Sequence, residues 1–292
     1  MASFLELSFP LGALDPEACE AACFALGADS VTLVDAADEP VLEPLPGEVR
    51  LWRHTTLACL FSAAADADAL RQALGERLGI AAASISARAI ADRIWEREWL
   101  KDFHAMRFGR RLWVCPHHES VADPKAVVVA LDPGLAFGTG THASTALCLE
   151  WLDAHLEAGC RVIDFGCGSG VLAIAAALLG AREVHCFDID PQALTATAEN
   201  AAANGVGARV TVHERAASLP RHHDVLLANI LAGTLADLAP RFAALVRPGG
   251  VVLMAGLLEQ QAADVTAAYS PCFDVSRFGG RDGWAALTGR RR

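Results

Sequence analysis

Two domains of different class are predicted for this 292-residue chain, a small α+β unit followed by a larger α/β unit. Three observations predict them. The length is that of roughly two domains of ordinary size. Residues 1–90 read as strand and helix in the order β-α-β-β-α-β, which is the split motif of ferredoxin-like domains. From residue 141 onward, apolar strand-like runs alternate with helix-like runs. That spacing builds a parallel sheet with helices on both faces.

The elements follow in order. Phe4 to Phe9 alternates as a strand. Asp15-Pro16-Glu17 opens a helix, with an acceptor at the cap, Pro in the first turn and an acid behind it. That helix reaches about Leu26 and stops at Gly27. Ser30 to Val34 is a β-rich run, followed by a Pro-rich excursion over Pro40, Pro44 and Pro46. Val49 to Ser62 reads as a strand, Asp66 to Leu78 as a helix ended by Gly79, and Ser84 to Ile90 as a strand. Residues 91–110 form a connector in which Ile94, Trp95, Trp99, Leu100 and Phe103 recur at helical spacing. The third segment, 111–292, opens with strand runs over Arg111–Cys115 and Ala126–Leu131. Strands then follow over Val162–Phe165, Glu183–Phe187, Arg209–His213, Asp224–Ala228 and Gly250–Ala255. Helices fall near 142–156, 169–179, 191–203, 231–245 and 259–268. The tail adds Phe273–Phe278 and Gly283–Thr288, joined by Gly-Gly-Arg-Asp-Gly as an antiparallel hairpin.

Composition excludes several classes. Hydrophobic residues are 53% and charged residues 20% of the chain, so it is neither disordered nor fibrous. The longest clean apolar run, Val171 to Leu179, is far short of a membrane span. The first residues carry no basic stretch of the secretory type, so a cytoplasmic protein is expected. Nine cysteines are scattered without a CxxC pair. They predict neither a zinc ribbon nor a disulfide framework, and no metal ligands are assigned. The net charge is −11. Residues 1–87 hold 13 acids against four arginines and no lysine, which disfavours a phosphate backbone and suits a basic protein partner. Ordinary solubility is the other reading of that charge.

The chemistry concentrates at the strand ends. Val162-Ile163-Asp164-Phe165-Gly166-Cys167-Gly168-Ser169-Gly170 is an apolar strand, a Gly-rich turn and a helix start. Glycines there allow close approach of backbone to a ligand. Asp188 ends the next strand, where an acid accepts hydrogen bonds from both ribose hydroxyls of a nucleoside. A helix cap is its other reading, but Asp190-Pro191 already supplies that cap. A dinucleotide site would carry GxGxxG. Here the third glycine position is Val171, and Asp164 suits a positive or amine-bearing ligand better than a pyrophosphate.

Asp-Phe-Gly-Cys-Gly-Ser-Gly followed by Phe-Asp-Ile-Asp resembles the S-adenosylmethionine-dependent methyltransferases with a seven-stranded Rossmann-like fold, and the terminal hairpin agrees. More specifically, Leu131-Asp132-Pro133-Gly134-Leu135-Ala136-Phe137-Gly138-Thr139-Gly140-Thr141-His142 and Ala228-Asn229-Ile230-Leu231-Ala232 resemble the ribosomal-protein methyltransferases of the PrmA type. Trp95 to Trp99 and Phe103 to Gly109 match that family's connector. The resemblance covers nearly the whole chain and is weakest over 1–90. It implies S-adenosyl-L-methionine as cofactor and lysine or N-terminal amines of large-subunit ribosomal protein L11 as acceptor. A monomer is expected, with no direct nucleic acid and no membrane required. By the same resemblance, Gly166 lies against the cofactor, Asp188 is the ribose-binding acid, and Thr145 and Asn229 contact cofactor; Gly168, in the same turn, is also expected to bind it. Residues 1–90 are expected to recognise substrate.

Asn229 is also the candidate catalytic residue, orienting the incoming amine's lone pair. Related amine methyltransferases continue from this Asn with Pro-Pro-Tyr. Here Ile-Leu-Ala follows, so the aromatic that packs on a planar amide is missing, which disfavours a glutamine side chain or a nucleobase as acceptor and is compatible with a flexible amine. Read without the family, Thr145 is a helix-start hydroxyl. His142 is the candidate base, or a structural loop histidine. His104 reads as structural or as orienting the domains, Cys167 as a small packing residue, and Phe137 as an apolar lid on a closing loop, with a rigid turn as the competing reading. An RNA methyltransferase on the same core, a non-enzymatic nucleoside-binding regulator and a dehydrogenase are the competing readings.

Overall fold

The computed structural model describes residues 2–37, 51–91, 104–131 and 142–292. The Pro-rich excursion, the helical stripe from Ile94 to Phe103 and the Gly-rich segment around Phe137 lie outside the described residues. The chain divides into two compact units, Met1–Trp95 and Glu96–Arg292.

The first unit contains β1 (Ala2–Pro10), α1 (Pro16–Ala25), β2 (Ser30–Asp35), β3 (Thr55–Ser62), α2 (Ala67–Leu78) and β4 (Ser86–Ala91). The strands lie in the order β2-β3-β1-β4, every neighbour antiparallel. Both helices start where an aspartate caps them. Asp15 Oδ1 accepts the Glu17 N–H, and Asp66 Oδ1 accepts those of Asp68 and Ala69. Alternation along β3 buries Thr55, Leu57, Cys59 and Phe61. These pack with Leu7 and Phe9 against Cys19, Cys23 and Leu74 of the helices. The expected strand from Val49 is shorter at its described end. Residues 51–54 turn instead, where the Thr55 hydroxyl donates to the Trp52 carbonyl at 2.7 Å.

The second unit opens with β5 (Met106–Phe108), β6 (Leu112–Cys115) and β7 (Val127–Ala130), which form a separate three-stranded sheet. β5 replaces part of the expected connector. Three residues are too few to display an alternation, yet Phe108 is buried in the core. There follow α3 (Ala143–His155), β8 (Arg161–Phe165), α4 (Val171–Leu178), β9 (Glu183–Phe187), α5 (Pro191–Ala203), β10 (Val210–His213), β11 (His223–Asn229), α6 (Ala232–Leu245), β12 (Val246–Leu258), α7 (Ala262–Tyr269), β13 (Phe273–Arg281) and β14 (Trp284–Arg291).

β8 to β14 make a seven-stranded sheet in the order β10-β9-β8-β11-β12-β14-β13. The first five strands are parallel, and β14 runs antiparallel between β12 and β13. Helices cover both faces, so the central strands are largely apolar. Val162, Val184 and Leu227 face one cluster with Leu149 and Leu152 of α3. Ile163, Leu226 and Met254 face the other, with Phe242 and Tyr269. β12 extends well past the expected Gly250–Ala255, because β14 and β11 pair along both of its edges. The hairpin turns on Asp282 and Gly283, at φ +52° and +80°. Positive φ at both central residues is what a two-residue turn between twisted strands requires. All nine cysteines are free and eight are buried. Among the described residues no helix is long and apolar enough to cross a membrane.

Candidate active site

Strand order reverses between β8 and β11. The chain leaves β8 toward β9 and β10 on one side, and leaves β11 toward β12 on the other. A crevice outside the carboxyl ends of two such strands is the common ligand position in open α/β sheets. The Gly166–Gly170 turn follows β8 and the Asn229–Ile230 turn follows β11, so both lie there.

The Gly-rich turn is held from β9. Gly166 and Cys167 donate their N–H groups to the Phe187 carbonyl at 2.7 and 3.1 Å. The Gly168 N–H donates to Asp188 Oδ2 at 2.9 Å, and the Asp190 N–H to Asp188 Oδ1 at 3.0 Å. Each oxygen of Asp188 therefore keeps one further acceptor site. Asp190 caps α5 through the Gln192 N–H at 2.9 Å, so the cap reading of Asp188 is not needed. Gly166, Gly168 and Gly170 all have positive φ.

On the other wall, Asn229 Nδ2 donates to the buried Thr145 hydroxyl at 3.1 Å. The two residues are 84 apart in sequence, and no local pattern pairs them. The start of α3 is capped by His142 instead. Its Nδ1 accepts the Ser144 N–H at 3.3 Å, and its ring stands edge-on to Trp284 at 4.5 Å. The helix-start reading thus passes from Thr145 to His142. His104 pairs with Glu119 at 2.7 Å, a surface bond that holds the glutamate's carboxyl below its ordinary range. The Cys167 thiol receives the Thr197 hydroxyl at 3.3 Å inside the core.

Three residues passed over by the sequence reading complete the geometry. Ile230 lies on Gly166, where a Cβ built on the glycine would sit 2.3 Å from Ile230 Cγ2. It joins the Thr145–Asn229 pair to the Gly-rich turn. Gly256 has φ +79°, and a Cβ there would meet the Ile230 carbonyl at 2.6 Å and Asn229 Oδ1 at 3.0 Å. A lone glycine inside an apolar strand was the available signal for such close approach. Ile189, next to Asp188, is 89% exposed, and an isoleucine so placed offers an apolar surface at the rim of the crevice.

Beneath the turn, Asp164 is 1% exposed. Oδ2 accepts the Ala173 N–H at 3.0 Å, while Oδ1 has no hydrogen-bond partner. Burial, helped by the nearby Asp188 charge, pushes its pKa up to about 7 against the opposing backbone bond. An orphaned carboxylate oxygen under a glycine cradle fits a ligand that carries positive charge. A ribose with two hydroxyls fits the free acceptor sites of Asp188.

The sequence profile described as "Ribosomal protein L11 methyltransferase (PrmA)" matches residues 3–292. A ribosomal protein L11 methyltransferase of Pseudomonas aeruginosa (strain LESB58) is 50% identical over 284 residues, covering 96% of this chain and 97% of that one. One from Hahella chejuensis is 51% identical over 266 residues, 91% of each chain. Among solved structures, the ribosomal protein L11 methylase from Lactobacillus delbrueckii subsp. bulgaricus is similar with a TM-score of 0.60 at 31% identity. It matches over 65% of this chain and all of its own. On a match that runs from residue 3 to the last residue, the chain belongs to the ribosomal protein L11 methyltransferase (PrmA) family.

Proposed function

We propose that this chain transfers methyl groups from S-adenosyl-L-methionine to lysine or N-terminal amines of ribosomal protein L11, in the cytoplasm and as a monomer. The family match across both units carries this reading, and the site supports it. We read the sheet order as the Rossmann-like methyltransferase arrangement, and the four-stranded sheet with its two helices as a ferredoxin-like domain that recognises the substrate. The connector of residues 91–110 would then separate that domain from the catalytic domain of 111–292. The acid excess of residues 1–87 suits a Lys-rich partner.

When bound, the cofactor supplies a methyl group already activated on a sulfonium. The chain's task is then alignment. Gly166 and Gly168 would let backbone approach the cofactor, Asp188 would accept the ribose hydroxyls, and the exposed Ile189 would offer it an apolar surface. Thr145 holds Asn229 through the 3.1 Å bond, which leaves the Asn229 carbonyl oxygen to accept a hydrogen bond from the incoming amine. An α-amine near pKa 8 needs little help. A lysine near 10.4 must shed its proton, and desolvation in the crevice favours that.

The test is transfer from methyl-labelled S-adenosylmethionine to purified ribosomal proteins and to ribosomal RNA in separate reactions. Label in L11 alone is expected. Label in RNA would replace the reading with an RNA methyltransferase, and cofactor binding without transfer would replace it with a regulator.

Asp164 adds a pH dependence. Its folded pKa lies above the unfolded value, so the fold retains a proton between about pH 4 and 7 that the unfolded chain releases. Its contribution to stability is therefore present at low pH, declines as pH rises through that window and levels off above about 7. Ionisation favours a cationic ligand. Affinity for the cofactor is expected to be about ten-fold tighter at pH 8 than at pH 6. Asp164→Asn is expected to flatten both profiles, as calorimetric titration and thermal unfolding across pH will report.

A further inference from the structure

A second cluster of ionisable side chains lies in the same sheet, away from the glycine turn. Glu183 opens β9 with His185 two residues on, so both side chains share a face. His223 opens β11, and His213 ends β10. The His185 ring centroid is 5.1 Å from that of His213 and 5.2 Å from that of His223, the latter edge-on. One donor atom from each of Glu183, His185 and His223 lies within 4.8 Å of the others.

The hydrogen bonds decide which nitrogens carry protons. The Ser218 hydroxyl spends its proton on the Arg215 carbonyl at 2.6 Å. Toward His213 Nδ1, at 3.2 Å, it can only accept. A neutral His213 protonated at Nδ1 must then accept at Nε2, from His185 Nδ1 at 2.9 Å. This leaves the lone pair of a neutral His185 on Nε2. A metal-binding histidine needs this tautomer, its other nitrogen donating to a fixed acceptor. His223 is 0% exposed, and neither of its ring nitrogens has a hydrogen-bond partner. A neutral imidazole carries one donor and one acceptor, and burying both unmet is costly. Glu183 pairs with the Arg161 side chain through Oε1, which leaves Oε2 for another partner.

We propose that Glu183, His185 and His223 bind a divalent transition-metal ion, zinc by preference, as a structural cross-link between β9 and β11. Two imidazoles and one carboxylate suit zinc and its neighbours and are poor ligands for calcium or magnesium. Zinc bonds of about 2.0–2.1 Å place tetrahedral ligand atoms roughly 3.4 Å apart, so side-chain movements of around 1 Å close the set. Arg161 stays as the carboxylate's outer partner, its own backbone N–H donating to Asp224 Oδ2 at 2.7 Å. The three ligands come from two strands that are not neighbours in the sheet, and nothing in the sequence links His223 to the Glu183–His185 pair, which is why sequence reading assigned no metal ligand.

The test uses the full-length, tag-free chain stripped with chelator and titrated with Zn²⁺ against a chromophoric chelator. One equivalent bound with a Kd below ~1 µM is expected, with at least ~100-fold weakening in both His223→Gln and His185→Gln. Unchanged binding is expected in His118→Gln, an exposed control. Because His223 is buried, its variant risks misfolding. X-ray absorption on the wild-type zinc form therefore counts the ligands independently, with two imidazoles and oxygen at about 2.0–2.1 Å expected. Binding weaker than ~100 µM, binding undiminished in a folded histidine variant, or a shell without two imidazoles would each overturn the proposal.

Discussion

Asp188→Ala lowers affinity for S-adenosylmethionine by about 10²- to 10³-fold, and methyl transfer falls with it. The proposed pair of ribose bonds is charge-assisted, and such bonds contribute about 1.5–3 kcal/mol each. Asp188 is half-buried, so the lower part of that range applies. The substitution also removes the acceptor for the Gly168 and Asp190 N–H groups. The turn that shapes the site loosens at the same time. Asp188→Asn separates the two effects. It keeps one oxygen for a backbone donor and places an NH₂ where the other oxygen accepted. An intermediate loss of about ten-fold is expected for it. Calorimetric titration with cofactor and thermal unfolding of both variants supply the readouts. Binding within three-fold of wild type in the alanine variant would remove Asp188 from the cofactor site.

The residues that announce themselves in the sequence do so through local chemistry. Asp15-Pro16, Asp66 and Asp190-Pro191 each mark a helix start, because a short acceptor side chain meets free N–H groups within three residues. Asp282-Gly283 marks the last hairpin because few other residue pairs tolerate two positive φ values. Gly166, Gly168 and Asp188 were legible for the same reason, as a turn and a strand end separated by one helix.

What was not legible depends on distant chain. His142 is an uncommon cap, and its ring position depends on Trp284 from the final strand. The Thr145–Asn229 bond joins the first helix of the parallel-sheet region to its fourth parallel strand. Only the completed sheet brings them together. β5 is three residues long and exists because β6 pairs with it. The histidine cluster on β9, β10 and β11 depends on the same cross-strand assembly.

Gly166→Ala tests whether the Asn229–Ile230 turn and the glycine turn act as one structure. Two costs arise at this position. Its φ of +83° places an alanine in the left-handed region, at about 1–2 kcal/mol. The new methyl would also lie 2.3 Å from Ile230 Cγ2, far inside the ~3.5–4.0 Å of a normal carbon contact. Ile230 cannot retreat as a unit. Its N–H donates to the Ala255 carbonyl at 3.2 Å, and its backbone already lies against Gly256. The strain must pass to the Ile230 side chain or to the Asn229 turn. A total loss of about 2–4 kcal/mol is expected, with activity reduced more than ~10²-fold because Asn229 shifts with its neighbour. Gly205 isolates the backbone part. Its φ is +69°, and a Cβ there meets nothing within 4 Å, so Gly205→Ala costs only about 1–2 kcal/mol and leaves transfer unchanged. The difference between the two variants measures the clash. Gly166→Ala combined with Ile230→Ala removes the methyl on both sides of it and recovers that difference, less the packing lost at Ile230. If denaturant unfolding gives Gly166→Ala and Gly205→Ala the same stability, the two turns move independently, and Asn229 loses the packing argument that places it in the site.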